Sequence, residues 1–195
     1  MNIKHFIWIG LLCIALIAGI AYAVDTDTPA NLVKTKLTQV TNIFNNNGLS
    51  LEKKQAKILD VVVPTFDLPL MAKLTLGKKH WKTIPKAKQQ EFSSLYTTLL
   101  KRSYLGKVTL YSNEKINFKP PKTEKNKVYV PTELISKGKM VPVTYKLYKS
   151  KNGWKIYDAV ISGTSIVLSH RIEYDALLRK GSIDDLLDKL RQSLK

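Results

Sequence analysis

Residues 140–161 read MVPVTYKLYKSKNGWKIYDAVI, and the reading of this stretch decides the fold. Val141, Val143, Tyr145 and Leu147 alternate with polar neighbours such as Thr144 and Lys146, so one face of an extended strand is apolar. Ser150-Lys151-Asn152-Gly153 is a short Gly-containing loop, and the apolar run WKIYDAVI follows it. Two such runs joined by such a loop predict a β-hairpin. Upstream, residues near 126–135 and 108–118 also alternate with period two, and Lys122 to Lys127 reads as the turn between them. Four antiparallel strands leave an apolar face that must be covered, and the rest of the chain supplies helices for that purpose.

Downstream of the hairpin, Ser165 to Leu178 carries Ile166, Val167, Ile172, Tyr174, Leu177 and Leu178 at helical spacing. Gly181 breaks that helix. Ser182 then caps a last one, with Asp184 and Asp185 in its first turn, where they favour the helix dipole. Upstream, residues 85–104 form the strongest helical pattern, with Phe92, Leu95, Tyr96, Leu99, Leu100 and Tyr104 in one stripe and Pro85 suited to the first turn. Asp67 before Pro69 starts another helix, which Gly77 interrupts ahead of Lys78 and Lys79. Ser50 caps a segment that Pro64 ends or kinks, with Lys53 where a capping box would place an acid. Leu32, Val33, Leu37, Val40 and Phe44 mark a first helix over 29–47, stopped by Asn45-Asn46-Asn47-Gly48. The expectation is one α+β domain with an antiparallel or mixed sheet of four to five strands packed by helices.

The start of the chain reads differently. Lys4 and His5 precede an apolar run from Phe6 to Ala18, and Ala21-Tyr22-Ala23 is an A-x-A pattern. That predicts a secretory signal peptide over residues 1–23, cleaved after Ala23, with the folded domain at 24–195. The run is shorter than the roughly 20 residues that span a bilayer. The sole cysteine, Cys13, lies inside it with no lipobox, so a mature chain has neither disulfide nor thiol nucleophile. The formal charge of +17 is carried almost entirely by lysine. It favours anionic partners such as lipid head groups or an acidic protein face. Nucleic acid is excluded by the export signal and by scattered lysines without interleaved aromatics.

No catalytic set emerges. His80 and His170 are isolated, and no paired ligand spacing or phosphate loop is present. Ser165 in GTS matches a nucleophile elbow poorly, and Ser165 with His170 is a weak pair. Asp158 interrupts an apolar strand. It reads either as a buried acid or as a strand carboxylate satisfied by a backbone N–H or a basic group, and no second acid is placed to share catalytic work. An exported domain rich in apolar residues and without catalytic groups is a binder of something apolar or a non-catalytic structural or protein-interaction module of the envelope.

Two stretches then carry a resemblance. The first is FDLPLMAKLTLGKKHWKTIPKAKQQEFSSLYTTLLKRSY, with Phe66-Asp67, Met71-Ala72, Leu76-Gly77, Trp81, Gln90, Phe92, Leu99-Leu100, Arg102 and Tyr104. The second is NGWKIYDAVISGTSIVLSHRIEYDALLRKGSIDDLLDKL, with Gly153-Trp154-Lys155, Tyr157-Asp158, Gly163, Ser165, Arg171 and the close at Leu190. In these the chain resembles the MlaC family, also called the toluene-tolerance auxiliary family, across essentially all of residues 24–195. It departs from the pattern where Ile84 replaces a capping serine ahead of Pro85, where lysine replaces the first-turn acid, and at Thr164.

The resemblance implies a soluble periplasmic phospholipid carrier that serves an ABC transport system and maintains outer-membrane lipid asymmetry. It implies exchange of lipid with an outer-membrane lipoprotein–porin complex on one side and an inner-membrane transporter complex on the other. It implies no cofactor, no metal and no enzymatic activity, the phospholipid being cargo in an apolar cavity. The side chains expected to wall that cavity are Phe66, Met71, Leu74, Leu95, Leu99, Tyr104, Val143, Tyr145, Leu147, Val160, Ile161 and Val167. Trp81 and Trp154 are expected as anchors, Asp158 and Arg171 as a pair tying the sheet to the following helix, and Lys78 and Lys79 as contacts for phosphate or membrane.

Overall fold

The computed structural model describes residues 27–105, 115–136 and 139–195. The expected signal peptide and most of the expected strand over 108–118 lie outside the described residues, as does the side chain of Tyr104. The chain begins with α1 (Pro29–Phe44), α2 (Leu51–Val62), a 3-10 turn (Val63–Thr65), α3 (Leu68–Thr83) and α4 (Lys86–Leu100), which runs into a π turn (Lys101–Leu105). Strands β1 (Lys115–Phe118), β2 (Lys122–Glu124), β3 (Lys127–Ser136), β4 (Lys139–Ser150), β5 (Gly153–Ile161) and β6 (Thr164–Ser165) follow. The chain closes with α5 (Ile166–Leu178) and α6 (Ile183–Ser193). The expected α+β class is the one observed.

The sheet runs β1-β3-β4-β5-β6, with β2 also paired to β3, every strand pair being antiparallel. One parallel bridge, Phe66 to Ile156, stitches the entry of α3 to the sheet. Two strands are very short, and β2 corrects the expected turn. Lys122–Glu124 pairs with Lys127–Tyr129, so only Lys125 and Asn126 turn the chain, and Lys125 takes φ 56 to do so.

The β4–β5 register shifts between Lys146 and Leu147. Lys146 faces Asp158 while Leu147 faces Ile156, leaving Tyr157 as the extra residue of a bulge. The bulge resets strand parity. Ala159 and Ile161 therefore share the face of Tyr145 and Val143, while Ile156, an even-numbered residue, shares the face of Leu147.

Helix starts follow the capping residues. Thr28, Ser50, Asp67, Ser165 and Ser182 each accept a backbone N–H of the first turn, and Ser182 with Asp185 completes a reciprocal capping box. α4 has no side-chain cap, Pro85 standing at that position. Instead Gln89 Nε2 donates to the carbonyls of Trp81 and Ile84, which fastens the α3–α4 corner. Inside α3, Gly77 breaks helical geometry at φ 71, ψ 163.

Two apolar clusters result. The larger joins α3, α4, α5 and α6 through residues such as Leu76, Phe92, Tyr96, Tyr174, Leu186, Leu187 and Leu190. The smaller joins α1 to the sheet through Val33, Val128, Val130, Leu147 and Ile156. Tyr145 and Phe66 touch both.

Candidate functional site

Between the two clusters the packing is incomplete. A cavity of about 410 Å³ lies there, within the range typical of small-molecule sites. α1 supplies one wall through Leu32, Val33, Lys36, Leu37, Val40, Thr41 and Phe44. The sheet supplies the opposite wall through Ile116, Thr132, Leu134, Val141, Val143, Tyr145, Ile156, Ala159 and Ile161. Val62, Thr65, Phe66, Leu68 and Met71 line it from the α2–α3 junction, and Leu100, Ser103 and Ile166 complete it. The bulge allows this arrangement, because without the parity reset Ile156 and Ile161 would point to opposite faces of the sheet.

The polar atoms of the wall are largely spent within the protein. Thr41 Oγ1 donates to Leu37 O, Thr65 Oγ1 to Val62 O, and Thr132 Oγ1 to Val143 O. With those hydroxyl donors satisfied, the described wall is apolar apart from Lys36, Ser103 and the Tyr145 hydroxyl. Tyr145 is desolvated there, and burial pushes its phenol up to about 12.

Of the residues expected to wall a cavity, Phe66, Met71, Val143, Tyr145 and Ile161 line this one. Leu74, Leu95 and Leu99 do not. They pack against the α3–α6 cluster, as does Val167, which is 8% exposed. Leu147 is fully buried in the smaller cluster. Val160 pairs with Thr144 and takes the opposite face from Ile161, since consecutive strand residues alternate. The α1 stripe, read from the sequence only as a helix face, forms a whole wall. Its breadth was the available signal, since residues 32, 33, 37, 40, 41 and 44 span more helix surface than one contact with the sheet requires.

The candidate catalytic groups are not assembled into a catalytic set. Asp158, 3% exposed, accepts from Ser165 Oγ at 2.7 Å and Val167 N at 3.1 Å, and pairs with Lys146 Nζ at 2.9 Å. It locks β4, β5 and the start of α5 together. Arg171 is not its partner, contrary to expectation. The Arg171 guanidinium lies over Gly77, so that a Cβ there would sit 2.9 Å from its Nε. Ser165 also accepts from Leu168 N as the α5 cap, whereas His170 Nδ1 lies 3.0 Å from the Tyr96 hydroxyl, which accepts from Thr75. Burial lowers the His170 pKa. His80 Nε2 meets Asp175 at 2.8 Å and braces α3 on α5. Among the described residues, no group of three or more His, Cys, Asp or Glu side chains converges to hold a metal. A second, polar depression involves Phe66, Asp67, Tyr148, Lys149, Asn152 and Lys155 on the outer surface.

Residues 34–192 match the family described as MlaC protein. The chain belongs to the MlaC family. The match takes in α1 from Lys34 onward, the sheet and the later helices up to residue 192, and so both walls of the cavity except Leu32 and Val33. Among curated MlaC relatives, the Haemophilus influenzae intermembrane phospholipid transport system binding protein MlaC is 27% identical over 138 residues, 68% of this chain. That alignment spans 64% of the length of the relative. A solved structure of the phospholipid-binding protein from Ralstonia solanacearum, in complex with a phospholipid, superposes with a TM-score of 0.73. It is 25% identical and covers 84% of this chain and 94% of the other. This MlaC chain thus shares its fold with a protein seen holding a phospholipid.

Proposed function

We propose that this MlaC chain is a soluble periplasmic carrier that holds a phospholipid by its acyl tails in the α1–sheet cavity. The observation that carries the reading is the cavity itself, largely apolar on both walls and lined mostly by residues inside the family match. The phospholipid bound to the Ralstonia solanacearum relative supports it. Removing about 30 methylenes of two tails from water is worth on the order of 24 kcal/mol gross at about 0.8 kcal/mol each. Such a cargo does not escape into water on its own, so transfer requires docking to a partner that offers an apolar path. Carriage is non-covalent and needs no nucleophile.

The resemblance extends the proposal to partners: an inner-membrane ABC transporter complex and an outer-membrane lipoprotein–porin complex. The cleaved leader over residues 1–23 belongs to the same reading, since it would deliver the domain to the periplasm. The exposed Lys78 and Lys79 suit contact with an anionic membrane or partner. The deciding experiment is mass spectrometry of organic extracts from protein exported with its leader and purified without detergent. Near-stoichiometric phospholipid is expected. A folded protein that carries none, and takes none from vesicles, would instead be an envelope interaction module.

A further inference from the structure

One residue in the cavity wall does not belong to an apolar surface. On α1 the lining residues lie on one stripe, and Lys36 falls inside it, one turn after Leu32 and one turn before Val40. A lysine placed there must either carry its ammonium past the apolar wall to water or use it on something in the cavity. Among the described residues the lining contains no carboxylate. Among the described residues Lys36 makes no ion pair, whereas Lys149, Lys146, Lys88, Lys119 and Lys189 all do. The nearby cation Lys54 is occupied differently, with its ammonium 5.1 Å from the centre of the Phe44 ring. The threonine hydroxyls of the wall donate to backbone carbonyls. Among the described residues Lys36 is therefore the one charged side chain in the cavity lining, and its sign is opposite to that of a phosphodiester.

We infer that Lys36 is the contact for the phosphate of the carried lipid, and so reads the anionic diester beneath any variable head group. The inference rests on the carrier reading and deepens it. Lys36 is half-buried, so water still solvates its ammonium beside a neutral lipid, and the preference comes from the charge-assisted hydrogen bond that only a phosphate offers. The consequence is a carrier that admits phospholipids of many head groups and favours them over neutral diacylglycerols whose tails are identical.

The test offers wild-type protein, Lys36→Met and Lys36→Arg two kinds of neutral vesicle, one doped with phosphatidylglycerol and one with diacylglycerol of the same tails. Lipid taken up is counted by mass spectrometry, and the phosphorus NMR resonance of the bound phosphatidylglycerol is recorded. Methionine keeps an apolar stem of similar length, so loss of packing is not at issue. Wild type is expected to prefer phosphatidylglycerol, and Lys36→Met to lose that preference by roughly tenfold, the scale of one charge-assisted hydrogen bond. Diacylglycerol uptake should stay unchanged, Lys36→Arg should retain the preference, and the phosphorus resonance should move in the methionine variant. An undiminished preference with an unmoved resonance in Lys36→Met overturns the inference while leaving the carrier intact. Failure of wild type to take up either lipid overturns the carrier reading instead.

Discussion

Asp158 shows how a single residue can be legible in part. A carboxylate in an apolar strand announces a partner, and burial requires one, but the sequence suggested Arg171 and the fold supplies Lys146. The bulge at Tyr157 decides the matter, and nothing in the local pattern marks it. Asp158→Ala strands the Lys146 ammonium and frees two donors at the head of α5. Urea denaturation should show a loss of about 2–3 kcal/mol, somewhat below the cost at a fully buried pair because Lys146 is partly exposed. Gly77 occupies a region of backbone space that is essentially closed to side chains, and Arg171 fills the space above it. Gly77→Ala should therefore cost about 1–3 kcal/mol in the same assay. The titrating groups add two pH limits. Because the folded pKa of His170 is lowered by burial, the unfolded chain binds the extra proton, so stability falls as pH drops below about 6.5. Tyr145, through burial, and Tyr148, through its hydrogen bond to Asp67, are pushed up to about 12. There the folded chain holds the proton longer, so stability is lost as pH rises from about 10 towards 12. A denaturation midpoint series against pH should fall away at both ends.

Elements were more legible than their assignments to core or cavity. Caps, the Gly77 break and the β4–β5 loop are written in residues with specific backbone chemistry, and the helices and long strands follow from them. A cavity wall uses the same leucines and valines as a packed core, so periodicity cannot separate the two. Leu99 and Val143 illustrate this, one packed among α3–α6 and one on the lumen. Val143→Trp should abolish lipid uptake while leaving the fold cooperative. Leu99→Trp should do the reverse, lowering stability by about 1–3 kcal/mol through overpacking and sparing uptake. Uptake loss in both variants with wild-type stability would contradict the two-compartment description. α1 touches the rest of the molecule through α2 and the small cluster, and the residue ahead of its cap is held by the Trp154 indole donating to Asp27 O at 3.0 Å. Hydrogen exchange in α1 should accordingly be faster than in α4, and should slow when lipid is bound.

At the scale of the whole molecule, charge was the property read most directly. The whole chain carries a formal +17, and among the described residues no lysine is buried and the cavity lining holds one. Encounter with anionic vesicles should therefore be fast at low salt and weaken steeply as ionic strength rises past about 0.1 M, where the Debye length is about 10 Å. A stopped-flow salt series measures it, and a flat response would assign the lysines to solubility alone. The segregation of the two clusters has another outcome. Phe92, Tyr96, Tyr174, Leu186, Leu187 and Leu190 pack together without touching the lumen. On the proposed carrier reading, every return leg is made without a passenger. With these six side chains packed on one another rather than on cargo, the α3–α6 helices would hold their shape on that empty leg and arrive ready to load.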